Sequence, residues 1–142
     1  MTLHRTSSSA ETEALGAQLA QTLRPGDAVL ISGEVGAGKT TFVRGAAHAL
    51  GVTGPITSPT FMIGHRHPVA GPFAYVTHID LYRVASLREE DPDLLADYVG
   101  PDVITFVEWP LLAEHELEQL GRVARRVMLT HAGGDQRVVE IQ

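Results

Sequence analysis

The sequence contains no cysteine, only one lysine and no long apolar run. The absence of cysteine excludes disulfide bonds and thiolate metal sites, although it does not decide the cellular compartment. No apolar stretch approaches the roughly 20 residues that span a membrane. Residues 1–10 are polar and lack the apolar core of a signal peptide. We therefore expect a cytoplasmic protein.

Positive charge is also scarce. The chain has 11 basic and 17 acidic residues, and its formal net charge is −6. Wide contact with nucleic acid needs clustered cations, so the composition argues against a broad nucleic-acid interface. The one basic cluster, Arg122, Arg125 and Arg126, is interpreted as the solvated end of a helix, with its cations near the last carbonyls.

The overall composition is that of an ordinary globular domain. The chain has 142 residues, of which 44% are hydrophobic and 20% are charged. A chain of this length buries roughly two thirds of its unfolded surface, which suffices for one core without cross-links. We predict a single domain over residues 1–142.

The residues that are present converge on one glycine-rich stretch, Gly33–Thr40, which fits the phosphate-loop pattern G-x-x-x-x-G-K-S/T. An apolar run at 28–32 precedes it, and residues 41–50 follow with apolar side chains at helical spacing, so the sequence predicts strand, loop and helix. Glycine backbones leave N–H groups open to phosphate oxygens, and the helix start adds its positive dipole end. The predicted nucleotide-binding residues are Gly33, Glu34, Val35, Gly36, Ala37, Gly38, Lys39, Thr40 and Thr41.

The only lysine of the chain, Lys39, occupies the motif position where a compact ammonium meets the outer phosphates. Thr40 offers a hydroxyl to Mg²⁺, which takes one or two protein oxygens and keeps most of its waters. GTP-binding proteins usually read guanine with an Asn-Lys-x-Asp loop, and a chain with no other lysine cannot contain one. The sequence therefore favours ATP over GTP.

Two further apolar runs, residues 74–79 and 103–107, end in the acids Asp80 and Glu108. Runs that are apolar on both faces suit central parallel strands, and ligands sit beyond the carboxyl ends of such strands. Glu108 is the better candidate for the Mg²⁺ shell, and Asp80 could position the attacking water or join that shell. The predicted catalytic residues are Lys39, Asp80 and Glu108, and the alternative is a pair of solvated acids at strand ends.

The predicted fold is α/β, a P-loop NTPase-like three-layer structure with helices on both faces of a mostly parallel sheet. A capping box of Ser8 and Glu11 begins the first helix. Further helices are predicted from Asp91 through Tyr98 and over residues 111–120. Residues 126–130 and 137–141, joined through two glycines, predict an antiparallel C-terminal hairpin at the sheet edge.

Several other residues have both a functional and an ordinary interpretation. Residues 54–61 form a restrained loop in which Ser58, Pro59 and Thr60 could act as a nucleotide-sensing switch or simply connect two elements. Arg44 and Arg83 are candidate charge stabilisers or surface arginines. Trp109 either packs beside the site or faces a partner. His65 and His67 indicate a solvated hairpin rather than a metal site.

Four segments occur in order at suitable spacing: Gly-Glu-Val-Gly-Ala-Gly-Lys-Thr-Thr-Phe (33–42), Ser-Pro-Thr-Phe (58–61), His-Ile-Asp-Leu-Tyr-Arg (78–83) and Val-Glu-Trp-Pro (107–110). Together they resemble the TsaE family, formerly YjeE, the small ATPases of bacterial tRNA threonylcarbamoyladenosine synthesis. The resemblance covers nearly the whole chain. It departs from the family pattern at residues 62–67 and 90–93, which affects peripheral contacts and not the ATP site.

The resemblance implies binding of ATP and Mg²⁺, slow ATP hydrolysis, and action with TsaD and TsaB. Those partners carry the threonylcarbamoyl transfer to the adenosine beside the anticodon, so tRNA is an indirect partner. It also implies that Thr40 and Glu108 bind Mg²⁺, that Ser58–Thr60 is switch-like, that Asp80 is needed for hydrolysis, and that Trp109 lies beside the site.

Two other classes of protein share the phosphate loop. A small P-loop kinase would need an acceptor pocket and usually an arginine-bearing lid, and no arginine-rich insertion separates the motifs. A non-catalytic nucleotide-gated binding module would use ATP only to shift the population of a partner-binding state. Phosphoryl transfer to a metabolite would indicate the kinase, and an Asp80→Ala variant with intact turnover and partner activation would indicate the module.

Overall fold

The computed structural model describes residues 1–57, 64–82, 95–110, 114–120 and 122–142. The elements in chain order are β1 (Thr2–Thr6), α1 (Ser9–Ala20), β2 (Asp27–Gly33), α2 (Lys39–Ala49), β3 (Gly64–Pro68), β4 (Tyr75–Asp80), a 3₁₀ turn (Leu95–Asp97), β5 (Val103–Glu108), α3 (Glu114–Leu120), β6 (Arg122–His131) and β7 (Arg137–Ile141). No helix among these residues combines the length and the apolar character needed to cross a membrane.

The strands form one seven-stranded sheet in the order β1-β7-β6-β2-β5-β4-β3. The four central strands, β6, β2, β5 and β4, are parallel to one another. The outer pairs are antiparallel, including the predicted β6–β7 hairpin. The predicted mixed α/β fold with a parallel centre is confirmed. The hairpin is not the sheet edge, however, because β1, which the sequence analysis did not predict, pairs with β7.

Helices cover both faces of the central strands. Val29 and Ile31 of β2 pack into the cluster that includes α1 and α2. Leu30, which points the other way, packs with Leu117 of α3 and Leu95 of the 3₁₀ turn. A strand that is buried on both faces has no polar alternation, which explains the continuous apolar run that predicted it.

The first helix begins as predicted. The Ser8 hydroxyl accepts a hydrogen bond from the Glu11 N–H at 3.2 Å, and the Glu11 carboxylate accepts one from the Ser7 N–H at 2.8 Å. Two glycines then let α1 lie directly against α2. A Cβ atom at Gly16 would lie 2.2 Å from the Phe42 carbonyl oxygen, and one at Gly45 would lie 2.0 Å from the Glu13 carbonyl oxygen. This close packing anchors the helix that carries the phosphate loop.

The predicted helix end at the basic cluster is wrong. Arg122 begins β6, and Arg125 and Arg126 continue that strand. The Arg126 guanidinium contacts Glu114 at 2.7 Å and Glu118 at 2.6 Å, both on α3. Arg126 therefore pairs with two carboxylates on α3, and not with the carbonyls at the end of a helix.

Two predicted helices are described only in part. The 3₁₀ turn at Leu95–Asp97 lies within the predicted helix from Asp91 through Tyr98, and residues 91–94 lie outside the described residues. The predicted helix over 111–120 is present from Glu114 onward, and residues 111–113 lie outside the described residues.

Candidate functional site

The phosphate-loop sequence forms the predicted strand, loop and helix. It leaves β2 at Gly33 and enters α2 at Lys39. Gly36 and Gly38 have φ angles of 82° and 98°, in the left-handed region that favours glycine. Gly33 lies so close to β6 that an added Cβ would be 2.5 Å from the Leu129 carbonyl oxygen. The loop is therefore a compact turn that other residues could not form without strain.

Lys39 is held over the loop. Its Nζ donates to the carbonyl oxygens of Gly33 at 2.7 Å and Glu34 at 2.8 Å. It also lies 4.2 Å from the centroid of the Trp109 ring. Burial lowers the pKa of Lys39, and the negative charges of Glu108 and Asp80 oppose that shift. The ammonium thus has a fixed direction and few water contacts, which strengthens its attraction for an anion.

The structure brings Thr40 and Glu108 into contact. The Thr40 hydroxyl lies 3.0 and 3.2 Å from the two carboxylate oxygens of Glu108, and Glu108 is 2% exposed. A third residue, His78, completes the group, because its Nε2 lies 2.5 Å from a Glu108 oxygen. An ionised carboxylate can only accept, so the imidazole is the donor.

Asp80 lies directly across from Glu108 in the parallel register of β4 and β5. Its carboxylate accepts a hydrogen bond from the Tyr82 N–H at 2.9 Å. Partial burial raises the pKa of Asp80, and the neighbouring Glu108 charge adds to the rise, while the Tyr82 hydrogen bond opposes it. The predicted catalytic residues Lys39, Asp80 and Glu108 therefore lie in one cluster.

Trp109 packs beside this cluster. Its ring contacts Tyr82 with a centroid distance of 4.8 Å, besides lying under Lys39. Its backbone has a φ of 57°, the one positive φ among the described residues other than glycine, and its N–H donates to the Ile31 carbonyl at 3.1 Å. Trp109 thereby connects β5 to the strand that carries the phosphate loop, as expected of a residue next to the site.

The remaining predicted residues fall in three places. Arg44 is turned away from the phosphate loop, toward Glu13 at 3.4 Å and the Ile56 carbonyl, which agrees with its interpretation as a surface arginine. His65 and His67 lie on β3, paired with β4 in the predicted hairpin. No group of three metal-ligating side chains occurs within the described ranges. Ser58, Pro59, Thr60 and Arg83 lie outside the described residues.

The sequence matches one protein family along most of its length. The sequence model of the family described as threonylcarbamoyl adenosine biosynthesis protein TsaE matches residues 6–139. The chain belongs to the TsaE family.

Relatives in the TsaE family align over most of their own length. The tRNA threonylcarbamoyladenosine biosynthesis protein TsaE of Streptomyces coelicolor is 43% identical over 121 residues, which cover 85% of this chain and 80% of the relative. The protein of the same name from Bacillus subtilis is 36% identical over 136 residues, 95% of this chain and 81% of the relative. The crystal structure of Bacillus subtilis YdiB matches with a TM-score of 0.72 and 33% identity, covering 97% of this chain and 82% of that one. The resemblance carried by the four motifs is confirmed.

Two residues of this TsaE-family site, His78 and Arg137, were not predicted from the sequence. His78 could have been found from strand alternation, because residues 78 and 80 of β4 share a face with residues 106 and 108 of β5. Arg137 of β7 donates to the phosphate-loop carbonyls of Gly36 at 3.0 Å and Ala37 at 3.1 Å. No sequence signal indicates that contact, since the two segments are about a hundred residues apart.

The donor set agrees with the Mg²⁺ that the TsaE resemblance implies. Mg²⁺ prefers hard oxygen ligands, and the Thr40 hydroxyl and the Glu108 carboxylate supply them. A carboxylate that is 2% exposed and meets two side-chain donors is oriented before any cation binds. Thr40 and Glu108 are therefore the residues that could hold such an ion.

Proposed function

We propose that this chain is a Mg²⁺-dependent ATP-binding protein and weak ATPase that acts with TsaB and TsaD in threonylcarbamoylation of the tRNA adenosine beside the anticodon. The names of its Streptomyces coelicolor and Bacillus subtilis relatives support the pathway. One observation carries the ATPase part: Lys39 on the phosphate loop and the acids Asp80 and Glu108 at adjacent strand ends belong to one electrostatic cluster.

The phosphate loop binds the nucleotide in this proposal. Its backbone N–H groups and the start of α2 attract phosphate oxygens. Lys39 contributes a positive charge, and hydrogen bonds to two loop carbonyls already fix the position of its ammonium group. Binding therefore needs little rearrangement of the lysine, which reduces the entropic cost of association.

Glu108 and Asp80 have different roles in the proposed hydrolysis. Thr40 and Glu108 would hold Mg²⁺, which when bound neutralises part of the charge on the phosphate oxygens. Asp80 positions the attacking water and accepts its proton. Its raised pKa makes the ionised carboxylate a stronger base than an ordinary aspartate, because basicity follows pKa.

Phosphate release from ATP tests the proposal, first with this protein alone and then with TsaB and TsaD added. The Lys39→Ala variant provides the blank. We expect slow release that changes when the partners are added and that disappears in the variant. Release that ignores the partners would contradict the coupling. Tight ATP binding with no release above the blank would indicate a nucleotide-gated module, and transfer of phosphate to a metabolite would indicate a kinase.

A further inference from the structure

The strand β7 of the C-terminal hairpin reaches the phosphate loop through the side chain of Arg137. Arg137, half-buried at the start of β7, donates from Nε to the Ala37 carbonyl at 3.1 Å and from Nη2 to the Gly36 carbonyl at 3.0 Å. On its other side, Nη1 donates to the carbonyls of Gly134 at 2.7 Å and Gln136 at 2.8 Å, in the turn between β6 and β7. One guanidinium therefore bridges two loops.

The contact with Ala37 controls the direction of a loop N–H. In a planar trans peptide, the carbonyl of one residue and the N–H of the next point in opposite directions. Because the Ala37 carbonyl points to Arg137, the Gly38 N–H must point away from Arg137. Gly38 has a φ of 98° and, as a glycine, would otherwise explore many orientations.

Two cations together hold most of the loop carbonyls. Lys39 donates hydrogen bonds to the carbonyls of Gly33 and Glu34, and Arg137 donates hydrogen bonds to those of Gly36 and Ala37. The lysine belongs to the motif, whereas the arginine comes from the other end of the chain. Carbonyls repel phosphate, so pairing each of them with a cation favours a loop whose N–H groups are free to bind an anion.

We propose that Arg137 is a positioning residue for nucleotide binding, whose guanidinium ties the β6–β7 turn to the phosphate loop and sets the loop's peptide orientation before the nucleotide arrives. The inference rests on the proposed nucleotide-binding function. It assigns no phosphate contact to Arg137, since four of its five N–H bonds are directed at backbone carbonyls.

The planar fork of arginine is essential to this role. Nε and Nη2 face one loop while Nη1 faces the other, and the ammonium of a lysine cannot reproduce that geometry. An Arg137→Lys variant keeps the charge and loses the bridge. It thereby separates a geometric role from a general electrostatic attraction for phosphate.

The first test uses the free protein without nucleotide. The Ala37 amide donates to the Glu34 carbonyl at 3.0 Å, and its hydrogen exchange should be faster in Arg137→Lys than in the wild type, while β2 and β5 amides keep their protection and show that the fold is intact. Arg5→Lys is the matched control, because Arg5 is an exposed arginine on the adjacent strand β1, opposite Val138. Unchanged exchange of the Ala37 amide would overturn the proposal.

The second test measures ATP affinity by calorimetry in the presence of Mg²⁺. We expect binding about tenfold weaker in Arg137→Lys and unchanged in Arg5→Lys. Millimolar guanidinium ion, compared with sodium at equal ionic strength, should restore part of the affinity of Arg137→Ala. Wild-type affinity in Arg137→Lys, or no specific rescue by guanidinium, would overturn the positioning role. A wild-type protein that binds no ATP would instead refute the proposed function, and the exchange experiment would still test the bridge.

Discussion

The ends of β4 and β5 lie side by side and carry one carboxylate each, yet the two carboxylates are held differently. Glu108 is 2% exposed and meets the Thr40 hydroxyl and the His78 ring. Asp80 is half-buried, and within the described part of the chain its carboxylate accepts one hydrogen bond, from the Tyr82 N–H. Although Asp80 and Glu108 are paired across neighbouring strands, the carboxylate of Glu108 is therefore held more firmly than that of Asp80.

This difference suggests a division of roles. A carboxylate that meets two side-chain donors keeps its place when a cation binds or leaves, as a metal ligand should. A carboxylate with one backbone partner can turn toward a water whose position depends on the nucleotide. Its raised pKa also suits a proton acceptor. We accordingly expect Glu108 to govern Mg²⁺ affinity and Asp80 to govern the hydrolytic step.

The largest expected effect is on hydrolysis. Asp80→Asn keeps the size of the side chain and removes its ability to accept a proton. The rate constant for phosphate release should fall about 100-fold or more, the usual contribution of a general base. ATP affinity, measured by calorimetry, should remain near that of the wild type. The exposed residue Asp97 supplies a matched control, Asp97→Asn.

Two other outcomes for Asp80→Asn would contradict the division of roles between the carboxylates. If affinity for ATP and Mg²⁺ fell as much as the rate, both carboxylates would belong to the metal site. If the rate stayed at the wild-type level, Asp80 would have no part in hydrolysis.

The next effect concerns Mg²⁺. Glu108→Gln replaces the buried carboxylate by an amide of the same shape, and the Mg²⁺-dependent gain in ATP affinity should fall by about 10- to 100-fold. Calorimetric titration of ATP with and without Mg²⁺ measures that gain directly. Glu116→Gln, at an exposed position on α3, should leave it unchanged. A full Mg²⁺ response in Glu108→Gln would remove this residue from the metal site.

A smaller effect is expected at the hydroxyl beside Glu108. Thr40→Val retains the shape of the side chain and loses its oxygen, so Mg²⁺ affinity should decrease about tenfold. Thr40→Ser, which keeps the hydroxyl, should behave like the wild type. A loss in Thr40→Ser with none in Thr40→Val would mean that the methyl group of Thr40, rather than its oxygen, matters.

The same strand ends show what could be predicted from the sequence. Asp80 and Glu108 each end an apolar run, and parallel strands bring such ends together, so local pattern and fold class were enough. His78 is two residues before Asp80 in the same strand, so strand alternation alone places both side chains on one face. Its hydrogen bond to Glu108 depends on the pairing of β4 with β5.

Contacts between distant segments were the main omission. Arg137 reaches the phosphate loop because the sheet order places β7 and β6 next to β2, and no local pattern contains that order. The edge strand β1 was missed because it is short and largely exposed, so it lacks the apolar signal of a buried strand. Arg126 was assigned to a helix end because its partners on α3 are known only from the fold.

The smallest expected effect is the pH dependence of stability. Burial raises the pKa of Asp80, so the folded protein binds this proton more tightly than the unfolded chain does. Protonated Asp80 contributes fully to the free energy of unfolding at pH values below the ordinary pKa of an aspartate. This contribution is lost as the pH rises through the raised pKa of the folded state. In the free protein, the unfolding free energy of Asp80→Asn should therefore increase relative to the wild type over that window and keep the gain toward neutral pH. Urea unfolding at a series of pH values measures the difference, and a constant difference would show that ionised Asp80 is not destabilised by its site.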